Sequence, residues 1–180
     1  MDESPRQLGT DHIDLHQIHR LDPNVQAEEI TEALHDVVRA GEARYIGASS
    51  MWTCQFAKLQ HTKDLHGWTR FVSRQDQYNL LQREEERKML PYCLDQGIGA
   101  ISWSPLARGR LTHDLDKQTT RNSTDGAEAA WLMHQPAITA PIVGTAKPHH
   151  LTDAATELKL SAVELTRLEE HYTMCPASGF

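Results

Sequence analysis

The feature that most constrains this chain is an alternation. Short apolar runs bounded by turn residues are each followed by a longer stretch of helical period. Residues 11–20, DHIDLHQIHR, form the first run: Ile13, Leu15 and Ile18 are apolar, Gly9 and Thr10 precede it, and Leu21, Asp22 and Pro23 stop it. Behind it, Ile30, Leu34, Val37 and Val38 fall at i, i+4, i+7 and i+8, one face of a helix. Glu28 and Glu29 sit in the first turn, where the helix dipole favours negative charge, and Gly41 offers a left-handed stop. The same rhythm predicts strands over 44–48, 71–75, 99–103 and 140–143. The helices between them run from Thr53, read as an N-cap, to Gly67, over 83–96, over 127–135 and over 148–158. A last helix starts at Ala162 behind the capping box Ser161-Ala162-Val163-Glu164 and runs to about Tyr172. Residues 4–8 read as the tail of a helix before the first strand, and 114–125, with no period of either kind, as an exposed loop.

Strands alternating with helices imply βαβ units, a parallel sheet and right-handed crossovers. A closed (β/α)8 barrel needs eight strands and typically about 250 residues. This chain has 180 residues and five predicted strands. It therefore reads as an α/β chain forming an incomplete (β/α)8 TIM barrel, with 1–180 as a single domain.

Composition narrows the classes of partner. The net charge is −7 and no basic cluster exceeds two adjacent residues, which argues against nucleic acid. No apolar run approaches the ~20 residues of a membrane span, and MDESPRQLG is neither a signal peptide nor a transit sequence. Cys54, Cys93 and Cys175 are odd in number and form no CxxC pair, which fits free thiols in a reducing, cytoplasmic setting. Among the 11 histidines, His16 and His19 leave a strand on opposite faces, and His149 and His150 diverge on a helix. Neither pair has zinc-ligand geometry, so no metal is expected.

Chemistry collects where the predicted strands end, the place where a parallel α/β barrel carries its active site. His19 closes the first run, and a histidine there is able to polarise a substrate carbonyl. Ser49 and Ser50 follow the second strand, Gln75 the third and Trp103 the fourth. Ser-Ser before a helix is also an ordinary cap signal, and an aromatic at a strand end is also an ordinary core residue. In 104–110, SPLARGR, backbone N–H groups, a small Gly109 and the Arg110 guanidinium suit a phosphate. In 144–150, GTAKPHH, a helix N-terminus and Lys147 suit an anion.

Five motifs recur in order: DLHQIH at 14–19, YIGASS at 45–50, QDQYN at 75–79, SWSPL at 102–106 and PIVG at 141–144. Together they resemble the aldo-keto reductase family, from its fourth barrel strand to its eighth, over nearly the whole chain. The wording around 48–52 and 79–81 is similar to the branch containing aryl-alcohol dehydrogenases and channel β subunits. The resemblance implies hydride transfer from NADP(H) to an aldehyde or ketone, of an aryl or secondary-metabolite kind within that branch. It implies that His19 is catalytic and that Ser49, Ser50 and Gln75 hydrogen-bond the nicotinamide carboxamide. Trp103 then stacks on the nicotinamide ring, while Ser104, Leu106, Gly109 and Arg110 wrap the pyrophosphate. Gly144, Thr145, Lys147 and His150 lie where the family grips the adenosine 2′-phosphate, and Asp153 where it contacts adenine.

The chain also departs from the family. Ser50 stands where Asn is usual, His150 where Arg is common and Ala154 where Asn is common. The family's Asp, Tyr and Lys belong to barrel strands that this chain lacks, and none of Tyr45, Tyr78, Tyr92 and Tyr172 sits in the matching context. The region 112–130 is shorter than in relatives. Two further readings therefore stay open: an inactive half-barrel that binds cofactor or a partner, and the product of an incomplete gene. Open barrel edges favour self-association.

Overall fold

The structure, a computed structural model, describes residues 3–107, 125–144, 152 and 159–173. The strands are β1 (Ile13–Ile18), β2 (Ala43–Ser49), β3 (Phe71–Gln77), β4 (Gly99–Trp103) and β5 (Ile138–Ile142). The helices are α1 (Glu3–Leu8), α2 (Ala27–Arg39), α3 (Thr53–His66), α4 (Met89–Gln96), α5 (Asp125–His134) and α6 (Ala162–Glu169). All five strands belong to one sheet in chain order, β1-β2-β3-β4-β5, and the pairs β1–β2, β2–β3 and β4–β5 are parallel. The described residues group into two compact units, one within Met1–Gln75 and Tyr92–Gly99, the other within Asp76–Pro91 and Ala100–Phe180.

In the first unit, alternation along β2 sends Ile46 and Ala48, both fully buried, to one face. Phe56 of α3 stacks on Phe71 of β3 at 5.5 Å between ring centroids, and Tyr92 meets Phe56 edge-on at 6.0 Å. Gln60, buried in α3, satisfies both backbone groups at the start of β3: its Nε2 donates to Phe71 O at 3.1 Å and its Oε1 accepts from Phe71 N at 2.9 Å. Gly41 and Gly67 follow α2 and α3 with φ of 76° and 67°, the left-handed stops their sequence positions predict.

In the second unit, Tyr78, Leu90, Ala100, Trp131, Leu132, Ala137 and Ile138 make one core, against which Leu160, Leu165 and Leu168 pack. Arg83 organises its polar side. The guanidinium lies 5.3 Å from the rings of both Trp131 and Tyr172. It donates to both carboxylate oxygens of Glu86, from Nε at 2.7 Å and from Nη2 at 3.1 Å. Trp131 Nε1 donates to Glu169 Oε1 at 2.8 Å, and Ser161 and Glu164 close the predicted capping box of α6.

Several boundaries differ from the sequence reading. β1 is only six residues long because its ladder with β2 runs from Ile13↔Ala43 to Ile18↔Ala48, which leaves His19 one residue outside. Thr53 is the first helical residue and Trp52 takes the cap position, because Gln55 Oε1 accepts from Trp52 N at 2.9 Å and supplies the cap bond from within the helix. The single helix expected over 83–96 is a 3-10 turn, Glu84–Arg87, followed by α4. Pro91 has no N–H for the Arg87 carbonyl and its ring collides with that group in a continuous helix, so Lys88 leaves the helical region, with φ −144°. β5 begins two residues earlier than expected, at Ile138, whose side chain is buried in the core of its unit. Pro141 is accommodated in β5 because that strand is at the end of the sheet order and owes no hydrogen bonds on one side. The expected loop 114–125 and helix 148–158 lie outside the described residues, apart from Asp125 in α5 and Thr152, which is helical.

Candidate functional site

In the first unit, the exits of β2 and β3 bring Ser49, Ser50 and Gln75 together. Ser49 and Gln75 are register partners. The Ser49 and Ser50 hydroxyls lie 3.1 Å apart, and Ser50 N donates to Gln75 O at 3.3 Å. Ser50 has φ 49°, a left-handed conformation that costs a non-glycine residue roughly 1 kcal/mol. Arg74 supports that turn from the opposite face of β3. It is buried, its Nη2 donates to Met51 O at 2.7 Å, and its guanidinium stands 5.4 Å from the Phe56 ring centroid. Two hydroxyls beside an amide offer donors and acceptors to a small planar polar group. His19 is exposed just beyond Ile18. The β1 side chain that reaches the group is Gln17, whose Nε2 donates to Gln75 Oε1 at 2.8 Å.

In the second unit, Trp103 is the half-buried last residue of β4. Ser104 follows with φ 56°, a second serine in the left-handed region at a strand exit. Its carbonyl accepts from Asn79 Nδ2 at 2.9 Å and from Ala107 N at 3.0 Å. Leu106 lies half-buried in the same turn, and Gly144 is exposed two residues beyond β5. Gly109, Arg110, Thr145, Lys147, His150 and Asp153 lie outside the described residues.

Sequence reasoning missed Gln17 and Asn79 as site residues. Alternation puts Gln17 on the face shared by Leu15, which is a local signal, but its partner is 58 residues away. Asn79 is fully buried, with its Oδ1 accepting from Leu81 N at 2.9 Å, and local sequence shows it only as a turn residue.

The tyrosines are committed elsewhere. Tyr78 is buried and its hydroxyl donates to Glu86 Oε1 at 2.5 Å; burial and then that carboxylate push its pKa upward. The Tyr172 hydroxyl accepts from Arg83 N at 3.2 Å and donates to Glu84 Oε1 at 3.1 Å. Tyr92 packs on Phe56, and Tyr45 is exposed within β2. A cleft of about 240 Å³ between the chain around Pro23 and the start of α3 is lined by Leu21, Val25, Gln55 and Leu59 among others, and by none of the candidate residues. Among the described residues no helix is long and apolar enough to cross a membrane, and no group of three or more His, Cys, Asp or Glu is placed to hold a metal ion.

Comparison with known proteins identifies the family. Residues 1–129 match the aldo/keto reductase family. A Schizosaccharomyces pombe protein carrying the name aryl-alcohol dehydrogenase is 44% identical over 99% of this chain and 60% of its own length. An aldo-keto reductase of Alternaria alternata is 40% identical over 96% of this chain and 54% of its own, and the versiconal hemiacetal acetate reductase of Aspergillus parasiticus is 38% identical over 96% and 60%. The crystal structure of a thermostable aldo-keto reductase in complex with the inhibitor epalrestat superimposes with a TM-score of 0.76 at 27% identity, over 94% of this chain and 63% of that one. The chain thus spans about 60% of the length of the relatives it matches, and its five parallel strands are part of a (β/α)8 barrel. The match over residues 1–129 and the 44% identity over 99% of the chain establish that the chain belongs to the aldo/keto reductase family.

Proposed function

We propose that this chain is the part of an NADP-dependent aldo-keto reductase that holds the nicotinamide end of the cofactor. The observation that carries the reading is the group at the exits of β2 and β3. Ser50 is held in a left-handed backbone beside Ser49 and the Gln75 amide, a conformation of the kind that collects at ligand-binding sites. Hydroxyls and an amide in one group match the donor and acceptor of a carboxamide, so the residues present fit this cofactor. When bound, NADPH supplies the hydride for an aldehyde or ketone. Ser49, Ser50 and Gln75 would fix the ring by its carboxamide, and Trp103 would cover it. Ser104, held by Asn79, would shape the turn leading to Gly109 and Arg110. Lys147 with Gly144, Thr145, His150 and Asp153 would take the adenosine end, which favours NADP over NAD. His19 would orient the carbonyl oxygen. A cytoplasmic site and free thiols belong to the same reading.

Catalysis by the chain as given is a separate matter. A proton donor needs a tyrosine whose pKa a lysine lowers, whereas burial and Glu86 raise that of Tyr78. Losing general acid catalysis typically costs about 10²–10⁴-fold. The alignment with the fission-yeast relative runs over 214 residues, more than the 180 of this chain, which supports a shortening somewhere within the matched span. We therefore expect cofactor binding without useful turnover. Fluorescence titration tests the first half: NADPH binds more tightly than NADH, and Lys147→Ala removes the preference, a loss of about 1.5–3 kcal/mol for one charged hydrogen bond. Equal affinity for the two cofactors in the unmodified chain rejects the assignment. NADPH oxidation with 4-nitrobenzaldehyde tests the second half. Turnover abolished by His19→Ala would show that this chain alone suffices for catalysis.

A further inference from the structure

Gln17 reaches Gln75 only because of what lies between them. In register, Gln17 of β1 stands opposite Gly47 of β2, and Gly47 opposite Ser73 of β3. A Cβ at Gly47 would stand 2.7 Å from Gln17 Oε1 and collide with Ser73 Oγ. Glycine therefore leaves a bare strip of backbone over which the Gln17 side chain crosses β2. On the far side its Nε2 donates to Gln75 Oε1 at 2.8 Å, and its Oε1 accepts from Ser73 Oγ at 3.1 Å. Both ends of the Gln17 amide are engaged in this arrangement. The consequence falls on Gln75: its acceptor oxygen is occupied, and its NH2 group has no partner among the described residues. Gln75 thus turns a donor outward.

We propose that Gln17 is a positioning residue that acts through Gln75, setting the site to recognise a hydrogen-bond acceptor on the ligand's pyridine ring. This rests on the reading above, in which Gln75 meets the carboxamide. Held this way, Gln75 donates to the carbonyl oxygen of a carboxamide and equally to an oxygen of a carboxylate, so the site takes pyridine nucleotides of either kind. Gly47 is part of the device, because any side chain there displaces Gln17.

The test uses the full chain and two ligands, NADP and its nicotinic-acid analogue, measured by competition against NADPH fluorescence. Gln17→Glu presents only acceptors to Gln75, so the Gln75 amide turns over and directs its oxygen outward. The preference for NADP over the analogue is expected to rise about ten-fold or more, the size of a charged hydrogen bond. In Gln17→Glu combined with Gln75→Leu the rise is expected to vanish, since it depends on the Gln75 amide. A rise that persists in the double variant would mean that the new charge acts alone, and overturns the proposal. So does an equal change for both ligands in Gln17→Glu. Side-chain amide NMR supplies a readout that needs no ligand. In the unmodified chain the Gln17 NH2 protons are expected to be protected and those of Gln75 to exchange freely; in Gln17→Glu the Gln75 pair becomes protected. A protected Gln75 pair in the unmodified chain refutes the orientation. If neither nucleotide binds, the cofactor reading falls while the NMR result still decides the role of Gln17.

Discussion

Lys63 is fully buried in α3, and its Nζ sits 4.3 Å from the Phe71 ring centroid with no hydrogen-bond partner among the described residues. Burial lowers its pKa from 10.5 to about 8. Below pH 8 the amine is charged in both the folded and the unfolded chain, and the fold carries the cost of a buried charge. Between pH 8 and 10.5 the unfolded chain keeps a proton that the folded chain has released, so stability rises with pH across that window. The face of Phe71 offsets part of the cost. Lys63→Met is expected to stabilise the chain by about 1–3 kcal/mol at pH 7, with most of the gain gone by about pH 10. Urea unfolding at the two pH values checks this, and an equal difference at both would contradict the assigned cause. Local sequence gave little warning, because Lys63 occupies a helix position that reads as solvated, and only the packing of α3 on β3 buries it.

At the scale of elements, the sequence reads as one helix over 83–96, and the structure breaks it into the 3-10 turn and α4 at the turn before Pro91. The break frees residues 83–87 from a continuous helix, and Arg83 becomes the centre of a clasp joining this turn to α5 and the end of α6 through Glu86, Trp131, Tyr172 and Glu169. Its side chain is 12% exposed, so the ion pair with Glu86 is poorly screened. Arg83→Leu removes one partner, leaves Glu86 without its cation, and is expected to cost about 2–4 kcal/mol. Chemical denaturation followed by tryptophan fluorescence measures this; a change below about 0.5 kcal/mol would reduce the clasp to the rank of a surface ion pair. The capping box of α6 was legible because all its parts lie within four residues, whereas Trp131 and Arg83 are far apart in sequence and share no local signal.

For the whole molecule, the sheet order among the described residues leaves β1 and β5 each with a neighbour on one side only. Parallel sheets are ordinarily covered on both faces, yet Tyr45 and Ile142 on the strands are 56% and 45% exposed. The isolated chain is expected to self-associate at these strands. Sedimentation velocity over a range of concentrations checks it: a species of constant monomer mass across the range would exclude this behaviour.

The sequence by itself determined the alternation of strands and helices, the left-handed stops at Gly41 and Gly67, and the collection of polar residues at strand exits, because each depends on backbone preferences within a few residues. The family was legible through five short motifs in order. Tertiary structure alone decided which side chains meet. Strand register sets Gln17 against Gln75 across Gly47, and the packing of the segments beyond the strands gives Ser104 its Asn79 partner and Tyr78 its Glu86. A shift of one residue in that register turns every side chain to the other face, and no local pattern specifies which partner a polar side chain will find there.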